Sequence, residues 1–143
     1  MTSGQPPAPD GSGVRFLSVS DILEIHQDQI SRYGGAADIR DTGLLLSAAA
    51  QPEAAFGGSF LHDGIFEMAA AYLFHIVQNH PFVDGNKRTG TASALVFLDI
   101  NGYEVDCDSD ELADLVIEVT LGKAKKPEIA AFLTKHARPR QDS

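Results

Sequence analysis

The chain has 143 residues, 43% of them hydrophobic, with 20 acidic side chains against 11 basic ones and a net charge of -9. That length and apolar content suit one folded domain and argue against a disordered chain. The acidity argues against a general nucleic-acid binder, which needs a basic face to displace counterions, and suits a basic partner or a small ligand held at a local site.

Cys107 is the single cysteine, so no internal disulfide is possible and no oxidising compartment is implied. No apolar run approaches the ~20 residues of a membrane span, so a cytoplasmic protein is expected.

The opening "MTSGQPPAPDGSG" lacks the charged start and apolar middle of a signal peptide. It is rich in Pro and Gly, so residues 1–14 are expected to be a flexible tail and residues 15–137 the domain. A helix is predicted from Ser20, capped by Ser20 or Asp21, with Ile22, Leu23, Ile25 and Ile30 as its apolar stripe. "YGG" at 33–35 ends it, because glycine tolerates the left-handed cap position. In "RDTGLLLSAAAQP", Asp41 or Thr42 caps a short helix that stops before Pro52.

Residues 53–64, "EAAFGGSFLHDG", carry three glycines and two isolated phenylalanines. A mobile loop or small hairpin is expected. Phe56 is either exposed for a use or packed down on the core. "GIFEMAAAYLFHIVQNH" is apolar at helical spacing (Phe66, Ala69, Ala70, Leu73, Val77) and on its other faces too, which marks a central buried helix. "TASALVFLDING" reads as a second, stopped by Asn101 and Gly102. "YEVDCD" is a short extended segment. "SDELADLVIEVTLG" is amphipathic, with Ser109 as cap and Leu112, Leu115, Val116 and Val119 buried. "KPEIAAFLTKHA" is a last short helix, and residues 138–143 are expected to fray. The sum is an all-α domain of about six helices. The acidic stretch from Glu104 to Glu118 and the basic C-terminal end read as solvated faces. Tyr33, Tyr72 and Tyr103 read as packing residues with their hydroxyls at an edge.

Between the two buried helices stands "HPFVDGNKRTG". From Asp41 to Gly122 the only lysine or arginine residues are Lys87 and Arg88, in a loop that opens onto a helix. A helix start leaves N–H groups unpaired and carries partial positive charge. Gly85 permits a tight turn and close approach, and Asn86 offers an amide donor. Together these make an anion cradle, most naturally for phosphates. Asp84 is either a turn residue or a carboxylate for Mg²⁺ bridging bound phosphates. His80 either favours the preceding helix end or takes a proton from an attacking hydroxyl. Phe82 is an anchor that pins the loop to the core. Transfer of a phosphate-containing group to a hydroxyl and simple nucleotide binding both fit.

The same run resembles the Fic/Doc family signature His-x-Phe-x-(Asp/Glu)-Gly-Asn-x-Arg, filled here by His80, Phe82, Asp84, Gly85, Asn86 and Arg88. "RDTGLLLSAAAQP", "FGG" and "LVFLDINGYEV" look like its Doc (death-on-curing) toxin branch, so the resemblance covers residues 16–122. It implies the all-helical Fic fold, with a small flap before the central helix. His80 would activate the target hydroxyl, Asp84 would hold Mg²⁺, and Gly85, Asn86, Lys87 and Arg88 would bind the phosphates of ATP. Phe56, Gly57 and Gly58 would belong to a flap that aligns the target by strand addition.

Adenylylating members usually have Gly where this chain has Lys87, and Arg where it has Thr91. Both departures are shared with Doc. They imply a kinase that sends the γ-phosphate to a threonine of an elongation factor Tu-like protein and blocks translation. AMP or other nucleotidyl transfer, and a non-catalytic nucleotide-binding module, are the alternatives. The resemblance also implies a cognate antitoxin acting in trans. "SDILEI" offers Ser20 and Glu24 of a built-in inhibitor motif, but Ile25 breaks it.

Overall fold

The computed structural model describes residues 13–141. Apart from Gly13 and Val14, the tail expected over residues 1–14 lies outside them. Helix α1 (Val19–Tyr33) starts at Ser18, whose hydroxyl accepts from the Asp21 N–H at 3.0 Å while the Asp21 carboxylate accepts from the Ser18 N–H at 2.8 Å. This capping box displaces the expected cap at Ser20 or Asp21. The reciprocal bond needs an acceptor three residues after the cap, and Asp21 stands three after Ser18. Gly34, at φ 86, ends the helix where expected. Asp41 caps α2 (Thr42–Ala50), accepting from the Leu44 N–H at 2.9 Å.

After a 3₁₀ turn at Gln51–Glu53, β1 (Ala55–Phe56) and β2 (Ser59–Phe60) form a hairpin. Its turn is Gly57 and Gly58, both at positive φ, the geometry that matches strand twist in two-residue turns. The two phenylalanines part ways. Phe60 packs on Phe16, with ring centroids 5.4 Å apart, while Phe56 is 82% exposed.

Helices α3 (Ile65–Asn79) and α4 (Asn86–Ile100) are the centre of the fold. Met68 to Leu73 are all buried, which a helix achieves only when neighbours cover every face. Gly90 lets the pair approach: a Cβ there would lie 3.0 Å from Val77 Cγ2 and 3.1 Å from the Leu73 carbonyl oxygen. Tyr72 is fully buried, not an edge residue. Its hydroxyl accepts from the Leu17 N–H at 2.8 Å and donates to the Leu17 carbonyl at 3.3 Å. Burial pushes that phenol's pKa up.

Helix α5 (Ser109–Thr120) is capped by Asp108, which accepts from the Asp110 N–H at 2.9 Å; Ser109 is already helical. Helix α6 (Lys126–His136) packs on α3. The chain then continues ordered pairing where fraying is expected. β4 (Ala137–Pro139) runs antiparallel to β3 (Tyr103–Val105), the Arg140 N–H donates to the Gly102 carbonyl at 2.7 Å, and Arg138 Nε donates to Glu104 at 2.7 Å. The acidic and basic stretches therefore meet in part: Arg140 also lies 3.5 Å from Asp99. The described residues form a mostly helical domain, as expected, with six helices and two small antiparallel strand pairs.

Candidate active site

Helix α3 cannot run past His80, because Pro81 lacks an N–H and disfavours helical backbone before it. His80 takes a left-handed conformation, φ 51 and ψ 55, the one non-glycine residue at positive φ among the described residues. The chain then folds into a loop closed by Asn86. The Asn86 Oδ1 accepts from the Phe82 N–H at 2.9 Å, and its Nδ2 donates to the Phe82 carbonyl at 2.9 Å. These two bonds make the Asn86 side chain the closure of the loop. Asn86 is 5% exposed, and its backbone N–H stands at the open start of the helix. Phe82 is fully buried, as an anchor must be.

Gly85, at φ 84, turns the chain into α4. The N–H groups of Asn86, Lys87 and Arg88 open the helix and have no partner within it. The Gly85 N–H also meets no acceptor among the described residues. The side chains of Lys87 and Arg88 are exposed. Arg88 lies over the Tyr33 ring, 4.4 Å from its centroid, so Tyr33 is a partner of the motif rather than a core residue. Asp84 is exposed, and one of its carboxylate oxygens accepts from the Ala36 N–H at 2.7 Å. His80 is exposed and is fixed through its backbone: Arg40 donates to the His80 carbonyl at 2.6 Å and to the Asn79 carbonyl at 2.9 Å.

Three hollows meet at this loop. One of about 170 Å³ brings His80, Asp84, Gly85, Asn86 and Lys87 together. A second, about 330 Å³, lies between the Asp84–Gly85 turn and Gly34–Gly35 after α1. The largest, about 650 Å³, runs from Gly85–Arg88 over Leu95, Leu112 and Val116 between α4 and α5. Phe56, Gly57 and Gly58 form the hairpin tip and line none of the three.

In the second hollow the motif supplies one wall and α1 with the segment after it the other, while α3 and α5 contribute Val77 and Thr120 to the first. The sequence reading gives Arg40, Tyr33 and His26 no part in the site. His26 is buried, its ring stacked on Phe82 at 3.7 Å and 6°, its Nε2 2.8 Å from the Asp84 carbonyl. A signal for it exists. Residues 22, 26 and 30 share one helical stripe, and a histidine among isoleucines needs a partner. His75, roughly 140° from His80 on an ideal helix, faces elsewhere as expected: its Nε2 and that of His62 each lie 3.2 Å from Lys126 Nζ.

This arrangement can hold an anion on N–H groups, place a carboxylate beside it, and present an imidazole to a third group. Its sequence has relatives. The chain is 41% identical over 107 residues to "Toxin Doc" of Mycolicibacterium smegmatis, covering 73% of this chain and 82% of that one. It is 35% identical over 122 residues to "Protein kinase doc" of Escherichia phage P1, covering 85% of this chain and 95% of that one. Residues 16–98, which include α1 and the whole loop, match the family described as Fic/DOC, and the chain belongs to that family.

Proposed function

We propose that this chain is a Doc-type toxin that transfers the γ-phosphate of ATP to a threonine hydroxyl of a translation factor resembling elongation factor Tu. The observation that carries the reading is the 170 Å³ hollow in which His80 and Asp84 flank the phosphate-binding start of α4. The relative named as a protein kinase supports the reaction class.

In this reading His80 accepts the proton of the acceptor hydroxyl as its oxygen bonds to the γ-phosphorus. The bond from that phosphorus to the β,γ-bridging oxygen breaks, and ADP leaves. The N–H groups of Gly85, Asn86, Lys87 and Arg88, with the Lys87 and Arg88 cations, hold the phosphates and take up charge developing on their oxygens. The donor set at Asp84 fits Mg²⁺: one carboxylate oxygen is fixed by Ala36, the other is open, and one carboxylate with phosphate oxygens and water is a usual Mg²⁺ shell. When bound, Mg²⁺ would be held by Asp84 and would neutralise phosphate charge. The hairpin around Phe56, Gly57 and Gly58 would align the target segment by adding a strand to β1 or β2. A cognate antitoxin would hold the toxin in check in the cytoplasm. No described helix is long and apolar enough to cross a membrane.

The test is paired labelling of purified translation factors with ATP carrying label at the α- or the γ-phosphorus, with and without Mg²⁺. Transfer from the γ position alone, dependent on Mg²⁺ and abolished in His80→Ala, supports the proposal. Transfer of the α label identifies AMP transfer instead.

A further inference from the structure

The loop's most complete support comes from a residue outside the motif. His26 grips it at two points. Its ring lies parallel to the Phe82 ring, and its Nε2 is 2.8 Å from the Asp84 carbonyl oxygen. A carbonyl oxygen only accepts, so Nε2 carries the proton and this bond fixes the imidazole's tautomer. The peptide joining Asp84 to Gly85 is planar and trans, so its C=O and N–H point in opposite directions. Holding the oxygen on His26 therefore turns the Gly85 N–H away from α1. Ile30 closes the same side: a Cβ on Gly85 would lie 3.2 Å from Ile30 Cδ1 and 3.5 Å from the His26 ring.

The links form a circuit. His26 stacks on Phe82, the Phe82 backbone is clamped at both its N–H and C=O by Asn86, and the residues between carry the Asp84 oxygen back to His26. Asp84 is held a second time, through its carboxylate, by the Ala36 N–H after the same helix. Nothing in this circuit can rotate without breaking a bond or a stack.

Resting on the phosphate-binding reading above, we infer that His26 is a positioning residue for that loop: through the Phe82 ring and the Asp84 carbonyl it fixes the direction of the Gly85 N–H and the placement of the Asp84 carboxylate, without touching the reactants.

The test is calorimetric titration of the full chain with Mg·ADP, comparing wild type with His26→Phe. His26→Phe keeps an aromatic ring on Phe82 and deletes the bond to Asp84. It should bind roughly 10–100-fold more weakly, the range seen when a buried group that orients a ligand is lost. A folded His26→Phe, judged by its melting curve, that binds Mg·ADP with wild-type affinity overturns the inference. If that variant does not fold, ¹⁵N NMR of the wild type decides. A proton on Nε2 of His26 and a Gly85 amide that shifts on adding Mg·ADP support the role; a proton on Nδ1 alone, or an unmoved Gly85 amide, overturns it. The functional reading fails separately. A chain that binds Mg·ADP in this His26-dependent way yet transfers no γ-phosphate keeps the positioning role and loses the kinase.

Discussion

A left-handed backbone costs a residue with a side chain roughly 1–2 kcal/mol, and His80 adopts it at φ 51. Glycine would adopt it freely, so stability alone favours glycine there. The exposed imidazole is then explained by what it does rather than by packing. His80→Gly is expected to leave Tm unchanged or raised and to lower phosphate transfer by about 10²–10⁴-fold, the usual worth of a general base. Melting curves and initial rates on one preparation check both. Asn86→Ala should behave in the opposite way. It strips the Phe82 N–H and C=O of their buried partners, at about 1–3 kcal/mol each. A clear fall in Tm is expected, and calorimetry measures it. The motif's spelling announces Asn86 but not its use. Only the fold reveals that the carboxamide bonds the backbone four residues earlier.

At the scale of elements, α3 and α4 are legible because apolar residues recur on all their faces, and the break between them is marked by Pro81 and Gly85. The β3–β4 pair is not legible. It joins Glu104 to Arg138 across the chain, and no local pattern encodes a register set by α6 docking on α3. The starts of α1 and α5 shift for a local reason: serine and aspartate neighbours compete for the cap, and the backbone chooses the one with a reachable N–H.

A further tie joins the hairpin's exit to α3 and α6 through His62, His75 and Lys126. Burial first, then the Lys126 ammonium and His62, pushes the His75 pKa from its ordinary 6.5 to about 4. His62 is also pushed down, by burial and then by Lys126. Between those two His75 values the unfolded chain binds more protons than the folded one, so stability rises with pH there. Stability is complete above 6.5, is lost progressively as pH falls toward 4, and loses no more from this group below that. Thermal melts from about pH 7.5 to about pH 4.5 should show a falling Tm. His75→Gln should flatten that slope. An unchanged slope in the variant would locate the acid sensitivity elsewhere.

On the scale of the molecule, an acidic chain of net charge -9 carries the Lys87 and Arg88 cations on the first turn of α4, just after the bend between its two most buried helices. In the proposed function, that placement lets a protein that repels polyanions in general accept one at a single point. The bend is rigid because α1 braces it from the other side, through His26, Ile30, Tyr33 and Ala36. In the proposed function nine contiguous residues carry the chemistry, and a helix some sixty positions away holds them, as the 58-residue separation of His26 and Asp84 records. The most direct measurement is a crystal structure of His80→Ala with Mg²⁺ and a non-hydrolysable ATP analogue. The account predicts phosphate oxygens on the N–H groups of residues 85–88, the metal on Asp84, and the γ-phosphate nearest position 80. An α-phosphate in that place, or a nucleotide bound away from the loop, would contradict it.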